Sequence, residues 1–192
     1  MRAGGVTALI VVDMLNDFVR PSGRLPVNGA ESLLPVQRRL LEVARELGYP
    51  IVYLADNHLP DDPEFTKWPP HAIVGTEGSQ VVSEIAPQQS DRVIPKRRYS
   101  GFFGTDLDLT LRENGVSRIM LMGVLTDICV MYTSADASAL GYEVIVVSDA
   151  TMSTDDENHR FALQHMKYVH GASVITAEEA VGVLEQGCAC PG

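Results

Sequence analysis

The chain has 192 residues, a length typical of one domain that can bury a sizeable core without disulfides. Hydrophobic residues make up 45% and charged residues 21%, a balance that excludes a disordered chain. Fifteen Lys and Arg against twenty-five Asp and Glu give a net charge of −10, which disfavours nucleic acid and anionic membranes as partners.

Short apolar runs rich in β-branched residues alternate with longer helical patterns along the chain. Continuous apolar runs of this kind are typical of strands buried on both faces of a parallel sheet. Six strands are predicted, at 8–12, 51–55, 92–94, 118–124, 143–147 and 172–176. Helical patterns cover 30–47, 107–113, 128–140, 155–168 and 177–184. This alternation predicts a Rossmann-like α/β fold in three α/β/α layers, with about six mainly parallel strands. A single domain covers 1–192, with a flexible tail from about 185.

Four polar or reactive residues fall at or just after predicted strand ends: Asp13, Asp56, Lys96 and Cys129. Because ligands of parallel α/β sheets bind beyond the carboxyl ends of the strands, we expect these side chains to converge. The segment 57–79, rich in Pro, Asp and Gly, is the one long connection. A loop of this length inside a compact domain is usually functional.

The three cysteines, Cys129, Cys188 and Cys190, form no disulfide framework, because their number is odd and two stand near the C-terminal end. No apolar run is long enough for a membrane span or a secretory signal. We therefore expect a reduced, soluble, cytoplasmic protein. Cys188 and Cys190 are interpreted as a solvated end rather than a redox pair.

The chemistry of Cys129 depends on its surroundings. The residue would lie in the first turn of a helix capped by Thr126 or Asp127, where backbone N–H groups and the helix dipole favour a thiolate. Taken alone, the residue is better explained as part of a packed core, where free cysteines are often found. Asp13 and Lys96 favour a nucleophile, because an ammonium lowers a thiol pKa and a carboxylate can take the thiol proton.

A set of metal-ligand residue types occupies the long loop. Asp56 and His58 stand two residues apart, and Glu64 and His71 follow. Such side chains suit Zn²⁺ or a similar divalent ion, although polar loops contain these residues anyway, so spacing alone leaves the metal open. Trp68, the only tryptophan, is either a hydrophobic plug or an aromatic wall for a flat ring.

Three segments together resemble the cysteine-hydrolase branch of the isochorismatase-like superfamily and, within it, the nicotinamidases. The sequence GVLTDICV at 123–130 is close to the GVxTDxCV signature of that family. ALIVVDMLNDF at 8–18 is similar to its opening strand and loop, and KRRYSGF at 96–102 to its lysine segment. The resemblance extends from about residue 9 to about residue 176.

The resemblance implies a catalytic triad of Asp13, Lys96 and Cys129. It also implies a cis peptide between Val124 and Leu125, and an oxyanion hole formed by the backbone N–H groups of Leu125 and Cys129.

The nicotinamidase pattern D-x-H followed by W-P-x-H implies a metal site in the long loop. Its ligands would be Asp56, His58 and His71, with Glu64 as a fourth. The expected ion is a single Zn²⁺, with Mn²⁺ or Fe²⁺ as alternatives. Phe18, Trp68 and Tyr99 fall where this subset has aromatics that pack on the substrate ring.

The activity that the resemblance implies is hydrolysis of nicotinamide to nicotinate and ammonia through a cysteine thioester, a reaction of NAD salvage. Family members often form dimers or tetramers, so a homo-oligomer is expected. Two departures leave the exact substrate open: Ala72 replaces a cysteine common in nicotinamidases, and the loop between His58 and His71 is short.

Three other interpretations compete with this one. A related amidase would act on a carbamoyl or ureido compound with the same triad and no metal, which the ligand set disfavours. Isochorismatase itself lacks the nucleophilic cysteine, and a non-enzymatic binding domain should have lost triad members. His159, His165 and His170 are expected at surface or interface positions.

Overall fold

The computed structural model describes residues 5–187, which contain six strands in one parallel sheet. The strands are β1 (Val6–Val12), β2 (Ile51–Asp56), β3 (Arg92–Lys96), β4 (Val116–Val124), β5 (Glu143–Met152) and β6 (Ser173–Ile175). Their order in the sheet is β3-β2-β1-β4-β5-β6, and every neighbouring pair is parallel. The predicted α/β/α fold is confirmed.

The helices connect these strands and cover both faces of the sheet. They are α1 (Asn16–Val19), α2 (Leu34–Glu46), α3 (Leu107–Glu113), α4 (Met131–Ala139), α5 (Asp156–Val169) and α6 (Ala177–Gly187). A 3-10 turn, Ala30–Leu33, precedes α2, and a π-helical turn, Thr126–Val130, precedes α4.

The core lies in two layers, one on each face, because side chains alternate along each strand. In β1, Leu9 and Val11 pack with α2 and α6, whereas Ala8, Ile10 and Val12 pack with α3, α4 and α5. Both sets are fully buried, which explains why β1 is a continuous apolar run rather than an alternating one.

Several element boundaries differ from the predicted ones. β3 continues through Lys96, so this residue is the last of the strand rather than part of the following loop. β5 extends to Met152. The last helix reaches Gly187, so residues 185–187, expected in the tail, are helical. Cys188 and Cys190 lie outside the described residues.

Within residues 5–187, no helix is long and apolar enough to cross a membrane. The position that matters for ligands is the point where the strand order reverses, between β1 and β4. Open α/β sheets bind their ligands at this point, beyond the carboxyl ends of the strands.

Candidate active site

Three strand ends bring Asp13, Lys96 and Cys129 into one buried cluster. Asp13 follows β1 with φ of 51°, a left-handed conformation that Asp tolerates better than most residues. The Nζ atom of Lys96 lies 2.7 Å from Oδ2 of Asp13 and donates to Sγ of Cys129 at 3.5 Å. The structure thus brings the three residues together, while their catalytic roles stay predictions.

The turn that carries Cys129 is held differently from the prediction. Neither Thr126 nor Asp127 caps it: Thr126 Oγ1 bonds to Nδ1 of His159 at 2.9 Å, and Asp127 accepts a hydrogen bond from Ser153. The backbone N–H groups of Ile128 and Val130 instead donate to the carbonyl of Leu125, at 3.2 and 3.1 Å. The first turn is therefore closed by backbone hydrogen bonds to Leu125, without a side-chain cap.

The peptide between Val124 and Leu125 is cis. Both residues line the same cavity as Cys129. The oxyanion hole of Leu125 and Cys129 stays a prediction.

Burial governs the protonation of the cluster. It raises the pKa of Asp13 to about 6, assisted by the nearby Asp56 and opposed by Lys96. Burial also raises the pKa of the Cys129 thiol well above its usual value, more than Lys96 lowers it. Lys96 stays charged, because Asp13 and Asp56 outweigh the effect of burial and raise its pKa. Burial thus favours a neutral thiol beside a potential base, whereas the start of a helix was expected to favour a thiolate.

A second cluster lies against the first. Ligand atoms of Asp56, His58 and His71 fall within 4.8 Å of one another. The Oδ2 atom of Asp56 is 3.5 Å from Nε2 of His58 and 3.8 Å from Nε2 of His71. The structure thus gathers three of the four predicted ligands at one point.

The outer nitrogens of both imidazoles are bound to acceptors. Nδ1 of His58 lies 3.2 Å from Oδ2 of Asp62, and Nδ1 of His71 lies 2.7 Å from the Pro69 carbonyl. An ionised carboxylate and a carbonyl only accept hydrogen bonds, so each Nδ1 carries a proton and each ring turns its Nε2 toward Asp56.

The convergence of these ligand atoms suits a cation. Nε2 of His58 is buried without a hydrogen-bond partner among the described residues. Burial lowers the pKa of His58, but Asp56 and Asp62 outweigh it and raise the pKa overall, so the environment attracts positive charge. The donor set of two imidazoles and a carboxylate is one that Zn²⁺ and similar ions use.

Glu64 stands apart from the other predicted ligands. It groups with His58 and Asp62 rather than with Asp56 and His71. Its Oε2 atom is 3.6 Å from Nη1 of Arg98, and burial raises the pKa of its carboxyl group. Glu64 nevertheless lines the cavity, where it faces any ligand bound there.

A cavity of about 560 Å³, mouth included, opens over both clusters. The three aromatics predicted to pack on a substrate ring, Phe18, Trp68 and Tyr99, all line it. Trp68 Nε1 donates to the Tyr99 hydroxyl at 3.1 Å, and the Phe18 ring is 5.3 Å from that of His71. A pocket of this size with apolar walls and few polar groups is typical of a small-molecule site.

Sequence reasoning missed several residues of this site. The cavity wall also includes Leu25, Pro26, Val27, Ile128 and Thr154. Asp62 was missed as well; an Asp before Pro63 is readable as a helix cap, but nothing in the sequence indicates its contact with His58. Of the other histidines, His159 contacts Thr126, whereas His170 bonds to Ser134, away from the cavity.

The fold and site define an α/β protein with a buried cysteine, carboxylate and lysine at the switch point of a parallel sheet. Residues 7–179 match the family model of the isochorismatase domain. The chain belongs to the isochorismatase family.

Two curated relatives illustrate the range of this family. An uncharacterized isochorismatase family protein, PncA of Bacillus subtilis, is 35% identical over 180 residues, which cover 87% of this chain and 97% of the relative. The ureidoacrylate amidohydrolase RutB of Azorhizobium caulinodans is 28% identical, with 92% and 85% coverage.

Solved structures show the same range at high structural similarity. N-carbamoylsarcosine amidase from Thermoplasma acidophilum is 42% identical, with a TM-score of 0.84 and coverage of 90% of this chain and 97% of that one. The nicotinamidase/pyrazinamidase PncA of Bacillus subtilis is 35% identical, with a TM-score of 0.83 and coverage of 88% and 99%. The pyrazinamidase of Pyrococcus horikoshii in complex with zinc is 34% identical, with a TM-score of 0.82 and coverage of 88% and 98%.

Proposed function

We propose that this protein hydrolyses nicotinamide to nicotinate and ammonia through a thioester on Cys129, and that it uses one divalent metal ion. The lining of the cavity carries this proposal. Aromatic and aliphatic side chains form the walls, the ionisable lining groups include Asp13, Asp56 and Glu64, and no lining residue in the described chain is Lys or Arg. Such a pocket suits a flat, uncharged amide.

Asp56, His58 and His71 would hold the ion, which we expect to be Zn²⁺. When bound, a divalent ion supplies a Lewis acid that can accept a pyridine nitrogen. The relative solved in complex with zinc supports this assignment. So do the buried Nε2 of His58, which has no hydrogen-bond partner among the described residues, and the convergence of both Nε2 atoms on Asp56. Phe18, Trp68 and Tyr99 would pack on the ring and direct its carboxamide toward Cys129.

The chain's own groups account for the covalent chemistry. Asp13 takes the proton of the Cys129 thiol, and the sulfur attacks the carboxamide carbon to form the C–S bond. The oxyanion of the tetrahedral intermediate accepts hydrogen bonds from the N–H groups of Leu125 and Cys129, each worth about 3 kcal/mol in comparable sites. Asp13 then protonates the amine, and the C–N bond breaks to release ammonia.

Hydrolysis of the thioester uses Asp13 in the same order, first as a base and then as an acid. Asp13 removes a proton from a water molecule, and the resulting hydroxide attacks the acyl carbon. The C–S bond then breaks, and Asp13 gives its proton to the departing sulfur. Lys96 keeps its charge throughout and stabilises Asp13 in its ionised form.

A second candidate is an amidase of carbamoyl or ureido acids, which the 42% identity to N-carbamoylsarcosine amidase favours. Such substrates carry a carboxylate. The acidic cavity disfavours this group, since no cationic side chain of the described residues lines it.

Ammonia release from nicotinamide, pyrazinamide, N-carbamoylsarcosine and ureidoacrylate, with and without a chelator, tests the proposal. We expect turnover of the two ring amides and its loss on metal removal. Cys129→Ala should abolish turnover while ring binding persists. Turnover of the carbamoyl compounds alone, unaffected by chelator, would establish the second candidate instead.

A further inference from the structure

A buried carboxylate that the proposed chemistry does not use lies behind His58, on the side away from Asp56. The side chain of Asp62 has no exposed surface. It belongs to the loop after β2 and accepts a hydrogen bond from the Glu64 backbone N–H at 3.0 Å, which begins the 3-10 turn Pro63–Thr66. A carboxylate buried this completely needs partners for both oxygens.

Asp62 has those partners. Its Oδ2 atom lies 3.2 Å from Nδ1 of His58 and accepts from Nε of Arg97 at 3.1 Å. Its Oδ1 atom accepts from Nη1 of Arg98, also at 3.1 Å, besides the Glu64 N–H. Each of the two carboxylate oxygens therefore faces at least two hydrogen-bond donors.

These contacts decide what Asp62 can do. His58, Asp62 and Glu64 also place ligand atoms within 4.8 Å of one another, so this trio is a geometric alternative for a metal ion. An ion there would displace the donors of Asp62 and face two guanidinium groups. The trio is therefore a poor cation site, and Asp62 acts on His58 rather than on an ion.

We propose that Asp62 is a positioning residue that fixes the His58 ring with Nε2 free and thereby sets the affinity of the Asp56–His58–His71 cluster for a divalent cation. This inference rests on the proposed function, which supplies the cation. A carboxylate behind a ligating imidazole fixes its tautomer and raises its basicity as a ligand. His71 has a neutral carbonyl in the same position, so the effect is specific to His58.

Arg97 and Arg98 complete the set of hydrogen bonds around Asp62. They directly follow Lys96, so one segment supplies the cation of the predicted triad and the two guanidinium groups that hold the Asp62 carboxylate in place. Arg97 is about half exposed and its side-chain contacts are to Asp62, so replacing it perturbs the carboxylate with little risk to the fold.

The test compares Asp62→Asn with Asp61→Asn, an exposed neighbour with the same change of charge. Binding of Mn²⁺ alone to the metal-free protein is measured by electron paramagnetic resonance, and zinc stoichiometry by elemental analysis. We expect one ion per chain in the wild type, affinity 10- to 100-fold weaker in Asp62→Asn, and wild-type affinity in Asp61→Asn. Arg97→Gln should show a smaller loss, and it replaces Asp62→Asn as the test if that variant does not fold.

Nitrogen-15 spectra of the metal-free protein give a second readout, recorded at a pH where His58 is neutral. The wild type should carry its proton on Nδ1, and Asp62→Asn should mix the two tautomers. Affinity within twofold of wild type in Asp62→Asn overturns this inference alone. A second ion per chain that is lost in Asp62→Asn overturns it too, by making Asp62 a ligand. A wild type that binds no ion overturns both this inference and the metal in the proposed function.

Discussion

The two carboxylate oxygens of Asp56 face different groups: Oδ1 accepts a hydrogen bond from Nζ of Lys96 at 2.5 Å, while Oδ2 faces the Nε2 atoms of His58 and His71. Its backbone N–H also donates to Oδ1 of Asp13 at 2.9 Å. One side chain therefore joins the cluster around the thiol to the cluster suited to a cation. Lys96 is the only positive charge in contact with both buried carboxylates among the residues that the structure describes.

Replacing Lys96 with Met should therefore cost stability as well as activity. The variant leaves Asp13 and Asp56 buried without their shared counter-charge, a loss that destabilises proteins by about 3–5 kcal/mol. Urea unfolding of the metal-free proteins measures the free energy directly. Lys67→Met, at an exposed position, controls for the change of side chain and should leave the midpoint unchanged. Equal midpoints for the two variants would show that the pair of carboxylates does not need Lys96.

Asp17 should affect substrate affinity although it does not touch the cavity. Its Oδ2 atom accepts from the N–H of Ala72 at 2.8 Å, and its Oδ1 atom from the N–H of Arg24 at 3.1 Å. Ala72 directly follows His71 and has φ of 44°, and Arg24 precedes the cavity wall at 25–27. Asp17 thus fixes two walls of the cavity from behind.

The change Asp17→Asn replaces one carboxylate oxygen with an NH₂ group, so one of the two backbone N–H groups loses its acceptor. We expect a loss of about 1–3 kcal/mol in the free energy of unfolding, and a higher KM for nicotinamide. Steady-state ammonia release measures KM, and Asp106→Asn, at an exposed position, is the matched control. A KM equal to that of the control would mean that the two walls hold their positions without Asp17.

The sequence predicts the meeting of Asp13, Lys96 and Cys129 because parallel strands place their carboxyl ends at one edge of the sheet. The pairing of Lys96 with Asp56 was not predictable in the same way. It depends on β2 and β3 being neighbours, with Asp56 opposite Lys96. The apolar runs in the sequence specify neither the order of the strands nor their register.

The protonation of Cys129 shows a second limit. The motif correctly places a lysine and a carboxylate near the thiol, but their effects on its pKa oppose each other. Burial decides the direction, and the depth of a side chain in the fold is a tertiary property. Asp62 was missed for a related reason, since its contact with His58 depends on the path of an irregular loop.

Stability in acid should depend on the ion pair of Arg20 and Glu84. Two Arg20 nitrogens donate to the Glu84 carboxylate at 2.9 and 2.5 Å, and this lowers the pKa of Glu84 from 4.5 to about 2. A carboxyl group with a lowered pKa stabilises the fold above its unfolded pKa and loses that contribution as pH falls through the folded value. The wild type should therefore lose this contribution between about pH 4.5 and pH 2.

Glu84→Gln removes the titration, so the difference in unfolding free energy between wild type and variant should shrink over that pH range. Urea unfolding at intervals between pH 5 and pH 2 measures it. The effect should be modest and weaker in high salt, because both side chains are partly exposed. Arg20→Gln should give the same pH dependence as Glu84→Gln. A difference from wild type that stays constant with pH would mean that the pair contributes packing and not charge.

Gly123 should tolerate no side chain, because β1 and β4 approach each other closely where they lead into the site. The residue pairs with Val12 in the sheet, one position before Asp13, and has φ of 123°. A Cβ atom would overlap the Val12 carbonyl oxygen, and neither backbone can move without displacing Asp13 or the turn that carries Cys129. Gly123→Ala should therefore destabilise the fold by more than about 4 kcal/mol, a cost associated with this kind of core overlap.

Gly141→Ala is the matched control, since Gly141 also has positive φ, at 87°, but its Cβ would meet nothing within 4 Å. That variant should lose only the conformational cost of about 1–2 kcal/mol. Thermal and urea unfolding of the two variants separate the contributions, and similar losses would mean that the close approach of the two strands relaxes freely.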